Sequence, residues 1–102
     1  MVHVIATIEV TPGKREEFLG YFRRLVPLVH AEQGCQYYEP TIDVGTSISA
    51  QQEPRGDVVT VVERWDDLEA LETHLIAPHM QTFREQTKSL IQNVSLQILS
   101  PA

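Results

Sequence analysis

Two histidines on either side of a proline are the residues best suited to proton transfer in this 102-residue chain. His74 lies near the end of one predicted helix, where the helix dipole favours a charged imidazole. His79 begins the next helix, where the dipole favours a neutral imidazole. A general base must be neutral before it accepts a proton, so His79 is the favoured base and His74 an orienting or anion-stabilising partner. The alternative is that both imidazoles only pack or cap the helix ends.

A glutamate and a tryptophan end the most strongly β-forming segment of the chain, residues 58–65. Glu63 and Trp65 are two residues apart and therefore share one face of that strand. The indole N–H can bond a substrate, whereas a carboxylate in an apolar strand is costly to bury unless it is paired. Tyr37 and Tyr38 point to opposite faces of another strand, so at most one of them can face a substrate pocket beside Glu63 and Trp65. We expect Glu63, Trp65 and Tyr37 to bind substrate; alternatively, Trp65 is only a core aromatic.

The motifs that hold metals and nucleotide cofactors are missing from the sequence. It contains no G-x-G-x-x-G segment and no other glycine-rich phosphate loop. His74 and His79 are five residues apart with Pro78 between them, which is not the i, i+4 spacing of a helical zinc pair. Cys35 is the only cysteine, so no cysteine pair can bind a metal. We therefore expect no metal and no cofactor.

Composition and charge indicate one globular domain, residues 1–102. Apolar residues make up 42% of the chain, which is enough for a core. A net charge of -6 with eight scattered Lys and Arg argues against nucleic acid or an anionic membrane as a partner. Residues 1–6 do not resemble a signal peptide, and no apolar run approaches the roughly 20 residues that span a bilayer. We expect a cytoplasmic protein.

The periodicity of apolar residues predicts strands at 2–10, 35–43, 58–65 and 94–99, and a weaker strand at 46–52. That weaker strand would form a hairpin in the insertion from Asp43 to Asp57. The first helix should start at Pro12, kink or end locally at Pro27 and close at Gly34. Its inner face repeats at helical spacing: Phe18, Phe22, Leu25 and Val29.

Two further helices should lie between the last two strands. Asp66 should cap the first of them, and Pro78 should separate it from the second. The resulting order has no regular βαβ alternation. It favours a ferredoxin-like α+β fold, in which an antiparallel sheet carries helices on one face. The open face and the sheet edges need cover, and a second copy of the chain is the simplest cover.

Three stretches, in this order, resemble the antibiotic-biosynthesis-monooxygenase family. The segment 4–14 resembles the family's first strand and its "PGK" entry to a helix. The segment 32–38 is similar to its "E-x-G-C-x-x-Y" turn, and 62–80 to its "E-x-W…A-L-x-x-H-L…P-H" segment. The insertion at 43–57 and the ending at 96–101 are closest to the bacterial quinol monooxygenase branch.

This resemblance implies a ferredoxin-like monomer that pairs into a dimeric α+β barrel, with a pocket between sheet and helices. It also implies a cofactor-independent monooxygenase that oxidises a quinol or phenolic molecule with O₂, with a histidine as base. Because one fold supports several reactions, the alternative is a non-oxidative isomerase or a small-metabolite-binding protein of the same dimeric barrel. Haem-degrading relatives use an Asn on the first strand, which is absent here.

Overall fold

The computed structural model describes all 102 residues. Its helices and strands form a four-stranded sheet with three helices on one face. The elements in chain order are β1 (Val2–Val10), α1 (Arg15–His30), β2 (Cys35–Thr41), β3 (Val58–Trp65), α2 (Leu68–Leu75), α3 (Pro78–Thr87) and β4 (Ile91–Leu99). The strand order is β2-β3-β1-β4, and every neighbouring pair is antiparallel. The predicted ferredoxin-like α+β fold is confirmed. No helix has the length and apolar character needed to cross a membrane.

The core lies between the helices and the two central strands. Alternate residues of β1 and β3 are buried there: Val4, Ala6, Ile8, Val10, Val59, Val61, Glu63 and Trp65. The predicted inner face of α1 is confirmed, since Phe18, Phe22, Leu25 and Val29 are all buried. The Phe83 ring of α3 packs edge-on against Phe18 and Phe22, with centroids 5.8 and 5.6 Å apart. This aromatic contact joins α1 to α3 and holds both over the sheet.

The first helix begins later than predicted and continues past its proline. A tight turn precedes it, in which the Lys14 N–H donates to the Thr11 carbonyl at 2.9 Å and Gly13 adopts φ 80°. Residues in this turn cannot be helical, so α1 starts at Arg15 instead of Pro12. Pro27 does not end the helix, which runs on to His30.

The second helix is capped one residue later than predicted. The Asp67 carboxylate, not that of Asp66, accepts the Ala70 N–H at 2.8 Å. The carboxylate of Asp66 instead accepts from the Gln36 side chain, at 2.5 Å. Pro78 separates α2 from α3 as predicted, and it occupies the first turn of α3.

The predicted strand at 46–52 is wrong, and residues 42–57 form a loop without a hairpin. The loop is held by its own polar side chains. Arg55 and Asp43 form a two-bonded ion pair at 2.8 and 3.0 Å, and the Gln51 amide donates to the Val44 carbonyl at 2.6 Å. Ile48, the central apolar residue of the segment, is exposed. Local side-chain bonds therefore replace a ladder that would bury little.

A close approach between backbone and helix fixes the turn after α1. Gly34 has φ 87°, a conformation that costs a side-chain-bearing residue energy, and a Cβ built on it would lie 2.6 Å from the Ala70 Cβ of α2. The Gly34 carbonyl also accepts the Asp66 N–H at 2.9 Å. Only glycine allows this turn to dock on α2.

Replacing Gly34 by alanine should destabilise the fold more than the same change at Gly13. Gly13 has a similar φ of 80°, but nothing lies within 4 Å of its added Cβ. Each change should cost about 1 kcal/mol or more for backbone strain, and Gly34→Ala should add a steric cost. Urea unfolding of both variants measures the difference. Equal decreases in the free energy of unfolding would show that the contact with Ala70 adds no steric cost.

Candidate active site

One carboxylate, that of Glu32, lies between the two predicted catalytic histidines. Its Oε2 is 2.9 Å from Nδ1 of His74 and 2.6 Å from Nε2 of His79. A carboxylate only accepts hydrogen bonds, so each imidazole donates an N–H to it. A neutral His74 then carries its lone pair on Nε2, and a neutral His79 carries its lone pair on Nδ1. Glu32 thus sets the tautomer of both rings.

Three separate segments bring this cluster together. Glu32 lies in the turn after α1, His74 in the last turn of α2, and His79 in the first turn of α3. Between the helices, Ala77 is extended, as expected for the residue before a proline. The Arg84 guanidinium closes this joint by donating to the Leu75 carbonyl at 2.6 Å. The break at Pro78 turns the second histidine back toward the first.

The two histidines differ in how far they reach toward solvent. The side chain of His74 is 2% exposed, that of Glu32 12% and that of His79 24%. His79 also lines a groove of about 350 Å³ between α1 and α3. Its apolar lining residues are Tyr21, Leu25, Leu28 and Phe83, and its other polar ones are Arg24, Thr82 and Gln86. A small molecule in this groove would contact His79 and not His74 or Glu32, which do not line it.

His74 is enclosed by aromatic rings. Its ring centroid lies 4.6 Å from that of Trp65 and 5.3 Å from that of Tyr38. Burial lowers the pKa of His74 below its usual range, although the Glu32 carboxylate acts in the opposite direction. The helix-end argument had favoured a charged His74. Burial outweighs the dipole here, because the dipole effect is typically below about 1 kcal/mol.

Glu63 and Trp65 form a buried pair behind His74. The Trp65 indole N–H donates to Oε1 of Glu63 at 2.9 Å, so the buried carboxyl is paired with the indole. Burial raises the pKa of Glu63 to about 7; the bond from Trp65 partly offsets this, and the charge of Glu32 adds to it. Trp65 is fully buried. In this arrangement, the indole N–H bonds Glu63.

The structure places Tyr37 away from the cluster of Glu32, His74 and His79, and Tyr38 beside it. Regular alternation would put Cys35 and Tyr37 on the face of Trp65. An extra residue in β2, Gln36, interrupts the register, so that Tyr37 pairs with Arg64. The ring of Tyr37 packs under the Arg64 guanidinium, 4.9 Å from its centroid, on the face opposite the helices.

Glu32, a member of the cluster, and Tyr38, which lies beside it, were not predicted as site residues from the sequence. Glu32 had been considered only as part of a turn motif, and Tyr38 only as an alternative to Tyr37. The available signal for Glu32 is its position two residues before Gly34, because a glycine that docks on α2 carries its neighbours toward the same helix. No local sequence pattern predicts the bulge at Gln36.

The fold and the site together define a small α+β domain in which a carboxylate orients two imidazoles beside an apolar groove. The chain belongs to the family described as antibiotic biosynthesis monooxygenase, which matches residues 1–86. It is 35% identical to the "Probable quinol monooxygenase YgiN" of Escherichia coli (strain K12), with 99% of this chain and 98% of that protein covered.

Two further similarities agree with this assignment. YcnE of Bacillus subtilis (strain 168), named as a monooxygenase, is 32% identical over 89% of this chain and 86% of that protein. The crystal structure of PA3566 from Pseudomonas aeruginosa superimposes with a TM-score of 0.80 at 31% identity, covering 99% of this chain and 93% of that one. Family and relatives support a monooxygenase role.

The raised pKa of Glu63 should make stability fall as pH rises. The folded protein holds this proton up to about pH 7, whereas an ordinary carboxyl releases it near 4.5. The stabilisation is therefore complete below about pH 4.5 and is lost by pH 7, a difference of roughly 3 kcal/mol at most. Glu63→Gln keeps an acceptor for the indole and should remove this pH-dependent stabilisation, whereas the lowered pKa of His74, which acts with the opposite sign, stays in both proteins.

Urea unfolding at several pH values between 4.5 and 8 measures the pH dependence of stability for wild type and Glu63→Gln. Glu39→Gln is the matched control, since Glu39 lies on the neighbouring strand with its carboxylate partly exposed. It should keep the wild-type slope. A Glu63→Gln protein with an unchanged slope would show that Glu63 is ionised throughout this range.

Proposed function

We propose that this chain is a cofactor-independent monooxygenase that oxidises a quinol or an electron-rich phenol with O₂. The observation that carries the proposal is His79, a partly exposed imidazole held by Glu32 at 2.6 Å at the edge of an apolar groove. An imidazole fixed by a carboxylate is a typical general base. The name of the Escherichia coli relative favours a quinol as the substrate class. The proposed setting is the cytoplasm.

The proposed reaction starts with proton transfer from a quinol hydroxyl to His79. The resulting anion transfers one electron to O₂, which gives a semiquinone and superoxide. Their recombination forms a C–O bond and, after proton return from His79, a hydroperoxide. Loss of water then leaves a hydroxyquinone, so that one oxygen atom enters the product and the other leaves as water. The quinol itself supplies all the electrons, and the protein supplies deprotonation and orientation.

The remaining residues take supporting roles in this proposal. Glu32 is a positioning residue, because it holds the tautomers of His74 and His79. His74 anchors Glu32 from its buried side and packs at a tilt against Trp65. Trp65 and Glu63 lie buried behind His74 and outside the groove lining, so they would contact substrate only if the groove opened inward past His74. Tyr37 lies on the other face of the sheet and would contact substrate only there.

Replacing His79 by alanine should lower turnover of a reduced naphthoquinol by about 10²–10⁴-fold, the usual cost of losing a general base. Oxygen consumption measures this, after subtraction of the enzyme-free rate at each pH. His30→Ala is the matched control: His30 also faces a glutamate, Glu39, at 3.5 Å, but outside the cluster. Wild-type turnover in His79→Ala would eliminate it as the base. An inactive wild-type protein would leave the isomerase or binding alternative.

We also propose that the working form is a homodimer. Val94, Leu96 and Ile98 of β4 pair with Ile8, Ala6 and Val4, so their side chains share the core face of the sheet. No helix covers them, and they are 42–50% exposed. On the opposite face, a cavity of about 520 Å³ is lined by apolar and polar side chains: His3, Ile5, Tyr37, Val62, Arg64 and Leu99. Both surfaces are suited to cover by a second copy.

Light scattering at micromolar concentration should give twice the monomer mass of 11.6 kDa. Leu96→Glu places a charge in the uncovered stripe of β4 and should shift the mass toward monomer. Leu68→Glu is the matched control, because Leu68 is similarly exposed but lies at the start of α2. A monomeric wild-type protein would contradict the homodimer.

A further inference from the structure

We propose that Glu32, His74 and His79 also form an open three-ligand site for a divalent transition-metal ion of the Zn²⁺ class. One oxygen or nitrogen atom from each side chain faces the others, and these ligand atoms all lie within 4.8 Å of one another. Two imidazoles and a carboxylate, with one position left for water, are a ligand set that zinc and its neighbours accept.

To bind one ion, the two contacts with Glu32 would have to lengthen, and the most widely spaced ligand atoms, up to 4.8 Å apart, would have to approach each other. Ligand atoms about 2.0–2.1 Å from a tetrahedral ion lie roughly 3.3 Å from each other. The present separations from Oε2 of Glu32 are 2.9 Å to His74 and 2.6 Å to His79, as suits N–H···O bonds. An ion would replace the two shared protons, and each neutral imidazole would carry its proton on its other nitrogen. Shortening a separation of up to 4.8 Å to roughly 3.3 Å takes movements of about 1.5 Å, which a joint between two short helices can supply.

The surroundings favour a preorganised site with an entry path. Trp65 and Tyr38 both pack against the ring of His74, which restricts the direction of its Nδ1. Glu32 lines a surface cavity of about 350 Å³ beside Ala77 and Pro78. An ion can therefore reach the cluster from this cavity without unfolding the core.

The sequence had argued against a metal because the two histidines lack the helical i, i+4 spacing. The i, i+4 spacing is needed only where both ligands lie on one continuous helix. Here Pro78 breaks the helix, and the third ligand comes from a turn 42 residues before His74. The site is therefore assembled by the fold and has no local sequence signature.

A bound ion should inhibit the proposed quinol oxidation, a consequence that rests on the proposed function. The ion would occupy the carboxylate that orients His79 and would hold the His79 ring in place. The same ligands would then serve proton transfer when metal-free and metal binding when loaded. Acidification should weaken binding, because protons compete for both imidazoles.

The test is calorimetric titration of chelator-treated protein with ZnCl₂. Wild type should bind one ion per chain. Glu32→Gln and His79→Ala should each weaken binding by more than about 10–100-fold, the loss that changes even to outer-shell partners cause. His30→Ala and Cys35→Ala should bind as wild type does. Circular dichroism checks the fold, and His79→Ala is the variant best placed to keep it, since His79 is the most exposed member.

Absence of binding at about 100 µM Zn²⁺, a dissociation constant that corresponds to a binding free energy of about −5.5 kcal/mol, would overturn the metal site. So would binding that survives Glu32→Gln or that is lost in His30→Ala or Cys35→Ala. Oxygen consumption with and without ZnCl₂ separates the two proposals. Zn²⁺ binding to a protein inactive toward quinols supports the metal site and contradicts the proposed function. Stimulation by Zn²⁺ or Fe²⁺ supports the site and overturns cofactor independence.

Discussion

The bonds from two imidazoles to the carboxylate of Glu32 are the interaction on which the arrangement of the site depends. They join the turn after α1, the end of α2 and the start of α3, three segments that no regular secondary structure connects directly. The turn reaches α2 only because Gly34 has no side chain to collide with Ala70. A backbone constraint thus sets the position of a charged group, and that group fixes the hydrogen-bonding state of both histidines.

Burial, more than the helix dipole, decides the charge states around Glu32. The dipole contributes typically 0.3–1 kcal/mol near a helix end, whereas desolvation can shift a buried group by several pKa units. Burial accordingly lowers the pKa of His74 and raises that of Glu63 to about 7. Both shifts favour neutral forms behind the more exposed Glu32 and His79.

Regular periodicity predicted most of the fold from the sequence. The strands at the centre of the sheet and the buried face of α1 follow from alternation and helical spacing, because both record which side chains leave water. The site was predicted in part. Both histidines and the shared face of Glu63 and Trp65 were found locally, whereas Glu32 depends on a turn docking against a distant helix.

The remaining differences arise where backbone groups find partners outside regular ladders. In the 42–57 loop, the alternation of residues suggested a strand, but an Asp43–Arg55 ion pair and side-chain amides satisfy the loop instead. In β2, one inserted residue exchanges the faces of Tyr37 and Tyr38.

Unequal cover of the sheet links the fold to the proposed chemistry. The three helices bury the inner faces of β1 and β3, but the inner face of β4 stays exposed although its residues are apolar. The helices concentrate on the side of the sheet where α2 and α3 bring both histidines to Glu32. Cover of β4 by a second copy would complete the core without adding a helix there. The proposed proton-transfer site, built from three converging segments, therefore fits a 102-residue chain, because the proposed pairing would supply the rest of the enclosure.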